Sequence, residues 1–376
     1  MKRILPMLLV LLMLPVRGQA VEINGKSACL MDVATGTVLF EENPNEKLAP
    51  ASVTKVMTML LIMEAVDDGR IMLTDTVTAS ETAAAKGGSQ VYLKVGETMT
   101  VEEMLKSIAV SSANDCACAM AEHLAGSESA FVEKMNEKAA QLGMTDTHFV
   151  NCTGLDDGPD AASHRTSAKD IAIMSRELLK NHPGIKKFTT IWMDTIRNGT
   201  FGLSNTNKLV RFYPGATGLK TGFTSGAGYC LSATAQRDGM ELVAVVMGAE
   251  TSAKRNESCK QLLDYGFANY ALFTPELTEA APVPVKLGKA ESVSLAMEDG
   301  GQLLIKKADQ SRITAQLSTE PEISAPVSKG QQLGTLTVKA GEEILKEFPL
   351  VAAEEVPRMT VWDLFVKILR RVAMAK

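Results

Sequence analysis

The sequence predicts an α/β (α+β) domain with an antiparallel sheet and a helical subdomain, followed by a small all-β domain. An apolar run at 56–63 and several capped helical segments lie in the first 270 residues. Two apolar strands, 229–235 and 241–248, are joined by the turn Arg237-Asp238-Gly239, which makes them antiparallel neighbours. After Phe273 the chain becomes proline-rich and then alternates apolar and polar residues in short segments.

The bulk composition indicates a globular protein with few options for its partners. The chain has 376 residues, of which 45% are hydrophobic, and this length suits about two to three domains. Its formal charge is −5, and it becomes −8 without the first twenty residues. Because no basic cluster in the body of the chain could neutralise phosphates, we expect no nucleic-acid partner.

The amino terminus has the pattern of a secretory signal peptide over residues 1–20. Lys2 and Arg3 precede an apolar stretch at 4–16, and Gly18-Gln19-Ala20 supplies small residues at a cleavage site. The stretch is short for a membrane span. We therefore expect export and a mature chain that begins near Val21.

The first elements are a hairpin and a buried helix. Residues 27–42 contain two apolar segments around the turn Ala34-Thr35-Gly36, which predicts the hairpin. A helix should begin just after Pro50, run through Ala65 and end near Gly69, and its apolar sides predict burial.

Further helices should enclose this central one. We expect short strands and loops over 73–99, with a hairpin-like segment at Val91-Tyr92-Leu93. The capping box that begins at Thr100 predicts a helix over 104–109. Turn and cap residues delimit three more helices, at 114–124, 128–142 and 171–180, and apolar spacing indicates another at 258–270.

The carboxy-terminal part has two segments of different character. Prolines follow Phe273, and short alternating strands are expected at 283–287, 292–295, 303–305, 313–317 and 333–338. Residues 357–376 carry five basic groups and one acid, and an apolar helical face includes Trp362 and Phe365. This pattern predicts a helix in a membrane interface, although packing on its own domain is the alternative. We therefore expect four divisions of the chain: the signal peptide at 1–20, the main α/β domain at 21–272, the small all-β domain at 273–355 and the amphipathic helix at 356–376.

Three short motifs suggest chemistry. Ser52 and Lys55 lie three residues apart on the predicted helix, so the lysine amine can reach the serine hydroxyl and accept its proton. Ser112 and Asn114 lie at the junction of two apolar helices, and Lys220-Thr221-Gly222 precedes the two clear strands, at or beside a sheet edge. Each motif is weak alone, since a serine and lysine on an exposed helix do nothing.

The cysteines do not indicate a metal site. Cys116 and Cys118 are close, but no second cysteine pair or closely spaced histidine pair accompanies them. The six cysteines are therefore interpreted as buried thiols. The alternative is that two of them form a disulfide, whose pairing the sequence leaves open. We predict neither a metal nor a cofactor.

The three motifs in this order resemble those of the penicillin-recognising serine enzymes. Within that group the chain is similar to the low-molecular-mass penicillin-binding proteins that act as D-alanyl-D-alanine carboxypeptidases, peptidase family S11. The segments 51–58, 151–155, 164–170 and 218–224 are typical of that family. The resemblance implies a serine β-lactamase/transpeptidase-like catalytic domain, a β domain and an amphipathic anchor on the outer face of the cytoplasmic membrane.

The resemblance also implies a role for each motif residue. Ser52 would attack the carbonyl between two D-alanines of a peptidoglycan stem pentapeptide, with Lys55 as general base. Ser112 would relay a proton to the leaving amine, and Asn114 would hold Lys55 and the substrate amide. The substrate carboxylate would be bound by Lys220 and Thr221, Gly222 would let the substrate lie close, and the N–H groups of Ser52 and Phe223 would form the oxyanion hole. β-Lactam antibiotics would be covalent inhibitors.

Two other functions stay open at the level of sequence. A class A-like β-lactamase shares the three motifs, but a glutamate loop between the second and third motifs is not apparent here. A non-catalytic wall-binding protein would keep the fold without needing Ser52 or Lys55.

Overall fold

The computed structural model describes residues 21–277, 280–297 and 301–374. The predicted signal peptide, residues 1–20, lies outside the described residues. Up to Phe273 the strands are β1 Ser27–Asp32, β2 Val38–Glu42, β3 Thr76–Thr78, β4 Thr98–Thr100, β5 Met193–Ile196, β6 Phe201–Ser204, β7 Ala216–Thr224, β8 Gly228–Arg237, β9 Met240–Ala249 and β10 Tyr270–Phe273. The helices are α1 Lys55–Asp67, α2 Glu81–Ala84, α3 Val101–Ser111, α4 Asn114–Ala125, α5 Glu128–Gln141, α6 Ala168–Asn181, α7 Lys186–Thr189, α8 Leu209–Phe212 and α9 Ser252–Asn269.

A five-stranded antiparallel sheet organises this part of the chain. Its order is β2-β1-β9-β8-β7, so the hairpin β1–β2 and the strands β8 and β9 form as the sequence predicts. The nine-residue strand β7 carries Lys220-Thr221-Gly222 at the sheet's outer edge, which confirms their expected position.

Helices cover both faces of the sheet and bury it. α9 packs on one face through Leu262, Leu263 and Phe267, which join a core cluster with residues of β1, β8 and β9. α1 and α6 lie on the other face, and α3, α4 and α5 pack around α1. Met57 and Leu60 of α1 are fully buried, and this explains why the helix is apolar on nearly all sides.

Helix ends lie close to their predicted positions because the caps form. The Thr100 side chain accepts from the Glu103 N–H, with Glu103 completing the capping box. Ser167 caps α6 in the same way, and Gly126 ends α4 in a left-handed conformation. The helix expected over 258–270 begins six residues earlier, at Ser252, because the Thr251 side chain caps it.

The hairpin-like reading of Val91-Tyr92-Leu93 was wrong. These residues form no strand, although β3 and β4 on either side pair with each other. The backbone N–H groups of Val91 and Leu93 donate to the buried Asp115 carboxylate, at 3.1 and 3.0 Å to Oδ2. A side chain has thus taken the place of a partner strand.

The carboxy-terminal part is built from short strands and one helix. Its elements are β11 Val283–Lys286, β12 Ser292–Val293, β13 Leu295–Met297, β14 Leu303–Lys306, β15 Ile313–Thr319, β16 Ile323–Ser324, β17 Gln332–Ala340, β18 Glu343–Ala352 and α10 Val361–Met374. A four-stranded sheet runs β13-β18-β17-β15, and a three-stranded one runs β12-β11-β16. The five expected strands are present, but β18 was missed because it contains charged residues and Pro349.

The two parts of the chain are joined by a strand pair. β10, which follows α9 directly, pairs antiparallel with β14 from Tyr270↔Lys306 to Phe273↔Leu303. The division near residue 273 stays a prediction. Among residues 21–277, 280–297 and 301–374, no helix is both long and apolar enough to cross a membrane.

Candidate active site

Ser52 and Lys55 meet where the chain enters the central helix. Ser52 lies on a 3₁₀ turn, Ala51–Thr54, that leads into α1. The Lys55 Nζ donates to Ser52 Oγ at 2.9 Å and to the Thr153 carbonyl at 2.8 Å. Lys55 is fully buried, so these two oxygens hold its amine in one position.

The charge state of Lys55 suits a base. Burial lowers the pKa of the Lys55 ammonium to about 7, because the charged form loses its hydration. A substantial fraction of the amine is therefore neutral near pH 7, and the neutral amine can accept the proton of Ser52 Oγ.

A buried chain of hydrogen bonds fixes the backbone before Ser52. The Val150 N–H donates to His164 Nδ1 at 3.1 Å, so we assign the proton to Nε2, which donates to Thr54 Oγ1 at 2.8 Å. Thr54 Oγ1 in turn donates to the Ala51 carbonyl at 2.8 Å. Burial lowers the pKa of His164 to about 4, which keeps the ring neutral. Ala51 has a φ of +48°, a strained value for a non-glycine residue.

Ser112 and Asn114 lie side by side at the junction of α3 and α4. Ser112 ends α3 in the left-handed conformation, with φ +63°. Asn114 starts α4, and its Nδ2 donates to the Gly87 carbonyl at 2.7 Å. Asn114 Oδ1 is buried and has no hydrogen-bonding partner among the described residues. A buried acceptor in this state can accept a hydrogen bond from a donor outside the protein, such as water or a ligand.

The contact between Asn114 and Lys55 that the resemblance implies is not among the hydrogen bonds of the described residues. Lys55 donates instead to Ser52 and to the carbonyl of Thr153. The segment between α5 and α6 positions this carbonyl. No pattern in the sequence predicts that the segment lies close to α1.

The strand β7 brings a second buried lysine to the site. Lys220 is 1% exposed, and its Nζ donates to the Thr221 carbonyl at 2.8 Å. Burial is the largest cause that lowers the pKa of Lys220 well below its usual value, and the neighbouring Lys55 and Arg255 add to it. The Thr221 hydroxyl lies 2.7 Å from that of Thr206.

Gly222 sets how closely β7 approaches the Ser52 turn. A Cβ at this position would lie 2.7 Å from the Pro50 carbonyl oxygen and 3.1 Å from the Ser52 nitrogen. Glycine is thus required for packing against the turn itself. The next residue, Phe223, is 54% exposed and stacks on Tyr229 with ring centroids 4.3 Å apart.

Sequence reasoning missed the supporting groups of this site. Thr54, Thr206 and the carbonyl of Thr153 contact Lys55, Thr221 or the Ser52 turn. Thr54 and Thr153 lie in family-like segments, but sequence reasoning assigned neither of them a role, and Thr206 lies outside all the motifs. His164 was noted only as part of a family-like segment. Alanine as a residue type gives no indication that Ala51 has a positive φ. Ser112, whose φ is also positive, could be found from the sequence because it lies in a motif.

Among the described residues, the six cysteines and one cluster of ionisable side chains also carry metal-binding atoms. All six cysteines lie within the described residues, and they are buried and unpaired. Glu64, Glu177 and His182 place one ligand atom each within 4.8 Å of one another at the far end of α1. Lys138 already pairs with Glu64 at 2.6 Å, and Asp67 with His182 at 2.6 Å. These pairs account for the cluster without an ion.

Comparison with known proteins gives two family matches. The family described as D-alanyl-D-alanine carboxypeptidase, peptidase S11, matches residues 15–251. The penicillin-binding protein 5 C-terminal domain matches residues 276–358. The D-alanyl-D-alanine carboxypeptidase DacF of Bacillus subtilis (strain 168) is 46% identical over 355 residues, which are 93% of this chain and 89% of the relative.

Solved structures share all or part of this architecture. Penicillin-binding protein 5 from Haemophilus influenzae aligns with a TM-score of 0.78 and 30% identity, over 91% of this chain and all of that one. Penicillin-binding protein D2 from Listeria monocytogenes, solved in an ampicillin-bound form, aligns with a TM-score of 0.60 and 31% identity over 66% of this chain and 100% of its own. The resemblance and fold class inferred from the sequence are thereby confirmed. The chain belongs to the D-alanyl-D-alanine carboxypeptidase family, peptidase family S11.

Proposed function

We propose that Ser52 is the acylated nucleophile of a D-alanyl-D-alanine carboxypeptidase that acts on peptidoglycan stem pentapeptides. The neutral Lys55 amine removes the proton of Ser52 Oγ as the oxygen attacks the carbonyl between the two D-alanines. As the C–N bond breaks, Ser112 passes its proton to the amine of the departing D-alanine and takes up the proton held by the Lys55 ammonium. Water then attacks the Ser52 ester, which releases the shortened peptide and returns a proton to Oγ.

The remaining motif residues hold the substrate during this reaction. The terminal carboxylate binds to Lys220 and Thr221 on β7, where an ammonium and a hydroxyl suit an anion. A substrate amide N–H donates to Asn114 Oδ1, the buried acceptor without a partner among the residues that the structure describes. The N–H groups of Ser52 and Phe223 stabilise the oxyanion, at about 3 kcal/mol for each donor in known cases. Gly222 keeps this strand against the Ser52 turn.

One observation carries the assignment of Ser52 and Lys55. The Lys55 Nζ lies 2.9 Å from Ser52 Oγ while burial lowers the pKa of that lysine to about 7. An exposed Ser-x-x-Lys pair would keep its lysine charged, so burial is what separates a base from an accidental neighbour.

The test combines D-alanine release from a stem pentapeptide with labelling by a fluorescent penicillin. We expect the wild-type chain to release D-alanine and to form a stable adduct that Ser52→Ala lacks. Fast turnover of the penicillin would support the β-lactamase alternative instead. Absence of both release and labelling would support a wall-binding role.

We further propose that the protein is exported and attaches peripherally to the outer face of the cytoplasmic membrane through residues 356–376. The helix α10 exposes large apolar side chains, including Trp362 at 70% and Ile368 at 53%. Two ion pairs join α10 to the neighbouring surface of the β domain. Lys289 of that surface pairs with Asp363 of α10 at 3.9 Å, and Lys367 of α10 pairs with Glu291 of that surface at 2.8 Å. These pairs support a helix that rests beside the β domain with its apolar side available to lipid.

A further inference from the structure

Tyr92 combines an unusual backbone with an exposed ring. Its φ is +58°, a value that is a genuine outlier for a bulky residue. The flanking Val91 and Leu93 side chains are buried, whereas Tyr92 is 69% exposed. A strained residue that contributes nothing to the core needs a reason outside the core.

The strain is held by two charged side chains. The Asp115 carboxylate, fully buried, accepts from the N–H groups of Val91 and Leu93 on either side of Tyr92. The Arg197 guanidinium donates to the Val91 carbonyl at 2.8 Å and to the Tyr92 carbonyl at 3.4 Å. Arg197 is itself paired with Glu97 at 2.6 Å. The conformation of Tyr92 is therefore fixed from both sides.

The segment that carries Tyr92 is joined by hydrogen bonds to Asn114, in the second motif of the candidate active site. The Asn114 N–H donates to the Ser89 carbonyl at 2.7 Å, and Asn114 Nδ2 donates to the Gly87 carbonyl. Asp115, which fixes Tyr92, follows Asn114 in the chain. Ala51 and Ser112, two other residues with positive φ, belong to the same site.

We propose that Tyr92 is a specificity-determining residue whose ring packs against the stem peptide upstream of the two D-alanines. An aromatic ring offers a large apolar surface at low entropic cost, and its fixed backbone presents it without further ordering. The assignment rests on the proposed function, because the peptide it contacts is that substrate. The ring takes no part in the bond-breaking step.

The test uses the full chain and two substrates that differ in length. One is a complete stem pentapeptide, and the other is N-acetyl-D-alanyl-D-alanine, which ends just upstream of the reacting residues. We expect Tyr92→Ala to raise KM for the pentapeptide about tenfold with kcat unchanged, and to leave the short substrate unaffected. Tyr92→Phe should retain the wild-type KM because it keeps the ring.

Two further variants separate specificity from structure. Tyr92→Gly should lose pentapeptide binding like Tyr92→Ala while its Tm stays equal or rises, since glycine adopts this φ without strain. Val95→Ala, which removes an exposed side chain of the same segment (66% exposed), should change nothing.

Equal losses with both substrates in Tyr92→Ala, or a lower Tm in Tyr92→Gly, would overturn the proposal in favour of a structural role. An unchanged KM for the pentapeptide in Tyr92→Ala would also overturn it. If the wild-type chain releases no D-alanine from either substrate, it is the proposed function that fails.

Discussion

At the level of single residues, two lysines and a histidine lie in the candidate active site, and burial sets the charge of each. Lys55 and Lys220 are almost completely enclosed, and burial lowers the pKa of both ammonium groups. His164 is held neutral in the same way. The two lysines therefore differ from surface lysines in how readily they lose their charge near neutral pH, and His164 stays neutral at mildly acidic pH, where a surface histidine becomes protonated.

The pKa of Lys55 predicts the pH dependence of acylation. The protonated amine cannot accept a proton, so kcat/KM should fall about tenfold for each pH unit below about 7. The rate of labelling by a penicillin, measured over this range, checks the prediction. A flat profile between about pH 5 and 7 would exclude Lys55 as the base.

Thr54 offers a second test at this scale. Thr54→Val keeps the shape but removes the hydroxyl between His164 and the Ala51 carbonyl, which leaves buried groups unpaired. We expect about 1–3 kcal/mol lower stability and slower acylation of Ser52. Urea unfolding and penicillin labelling measure the two effects. Thr54→Ser, which keeps the hydroxyl, is the matched control, and wild-type acylation in Thr54→Val would contradict a positioning role.

At the scale of elements, the segment between α5 and α6 completes the site on α1. Asn151 Oδ1 accepts from the N–H groups of Thr153 and Gly154, at 3.1 and 2.7 Å, and so shapes the turn that offers the Thr153 carbonyl to Lys55. Gly154 has φ +82°, and a Cβ there would lie 1.8 Å from the Ala51 carbonyl oxygen. The segment can approach the Ser52 turn this closely only because residue 154 is a glycine.

Gly154→Ala should therefore damage both stability and acylation. We expect a loss of about 2 kcal/mol or more in the free energy of unfolding, because neither the φ nor the space suits a Cβ. Denaturant unfolding and penicillin labelling check it. Gly158→Ala lies in the same connection with nothing within 4 Å, and it should behave as wild type. Comparable stability of the two variants would refute the argument.

How far the sequence predicts these elements depends on the range of the interactions involved. Local signals placed the hairpin β1–β2, the Thr100 capping box and strands β8 and β9 correctly. The segment 91–93 was misread because its decisive partner, Asp115, is 22 to 24 residues away. Motif spacing found Ser52, Lys55 and Lys220, but the partners supplied by Thr153 and Thr206 arise only from tertiary packing.

At the scale of the whole molecule, the residues proposed for catalysis in this D-Ala-D-Ala carboxypeptidase of peptidoglycan metabolism all lie in the part of the chain that ends with α9. The strands after β10 form small sheets with their own apolar clusters, around Val293 and Val327 and around Val338 and Phe348. Within the part of the chain that the structure describes, the pairing of β10 with β14 is the one strand ladder that links the two parts. We infer that the β-rich part acts as a spacer between the site and α10.

Removal of residues 361–376 tests the role assigned to the terminal helix. We expect the truncated chain to release D-alanine as the full chain does but to lose binding to vesicles that contain anionic lipid, since the exposed apolar side chains and the basic residues of this segment are gone. Sedimentation with vesicles measures the difference. The double substitution Trp362→Glu and Phe365→Glu, made in the full-length chain, is a second test that should also abolish binding. Vesicle binding that survives both changes would disprove attachment through α10.

The burial of Lys220 has a consequence for the energetics of substrate recognition. In the empty site its amine is biased toward the uncharged form, and a substrate carboxylate beside it reverses that bias. Capture of the peptide should then draw a proton from solution, so calorimetric heats for Ser52→Ala should vary with the ionisation enthalpy of the buffer. Lys220→Met should remove that variation, and identical heats in all buffers for Ser52→Ala would show that the lysine is already charged. The affinity of the resting enzyme for its substrate would in this way fall as the medium becomes more alkaline.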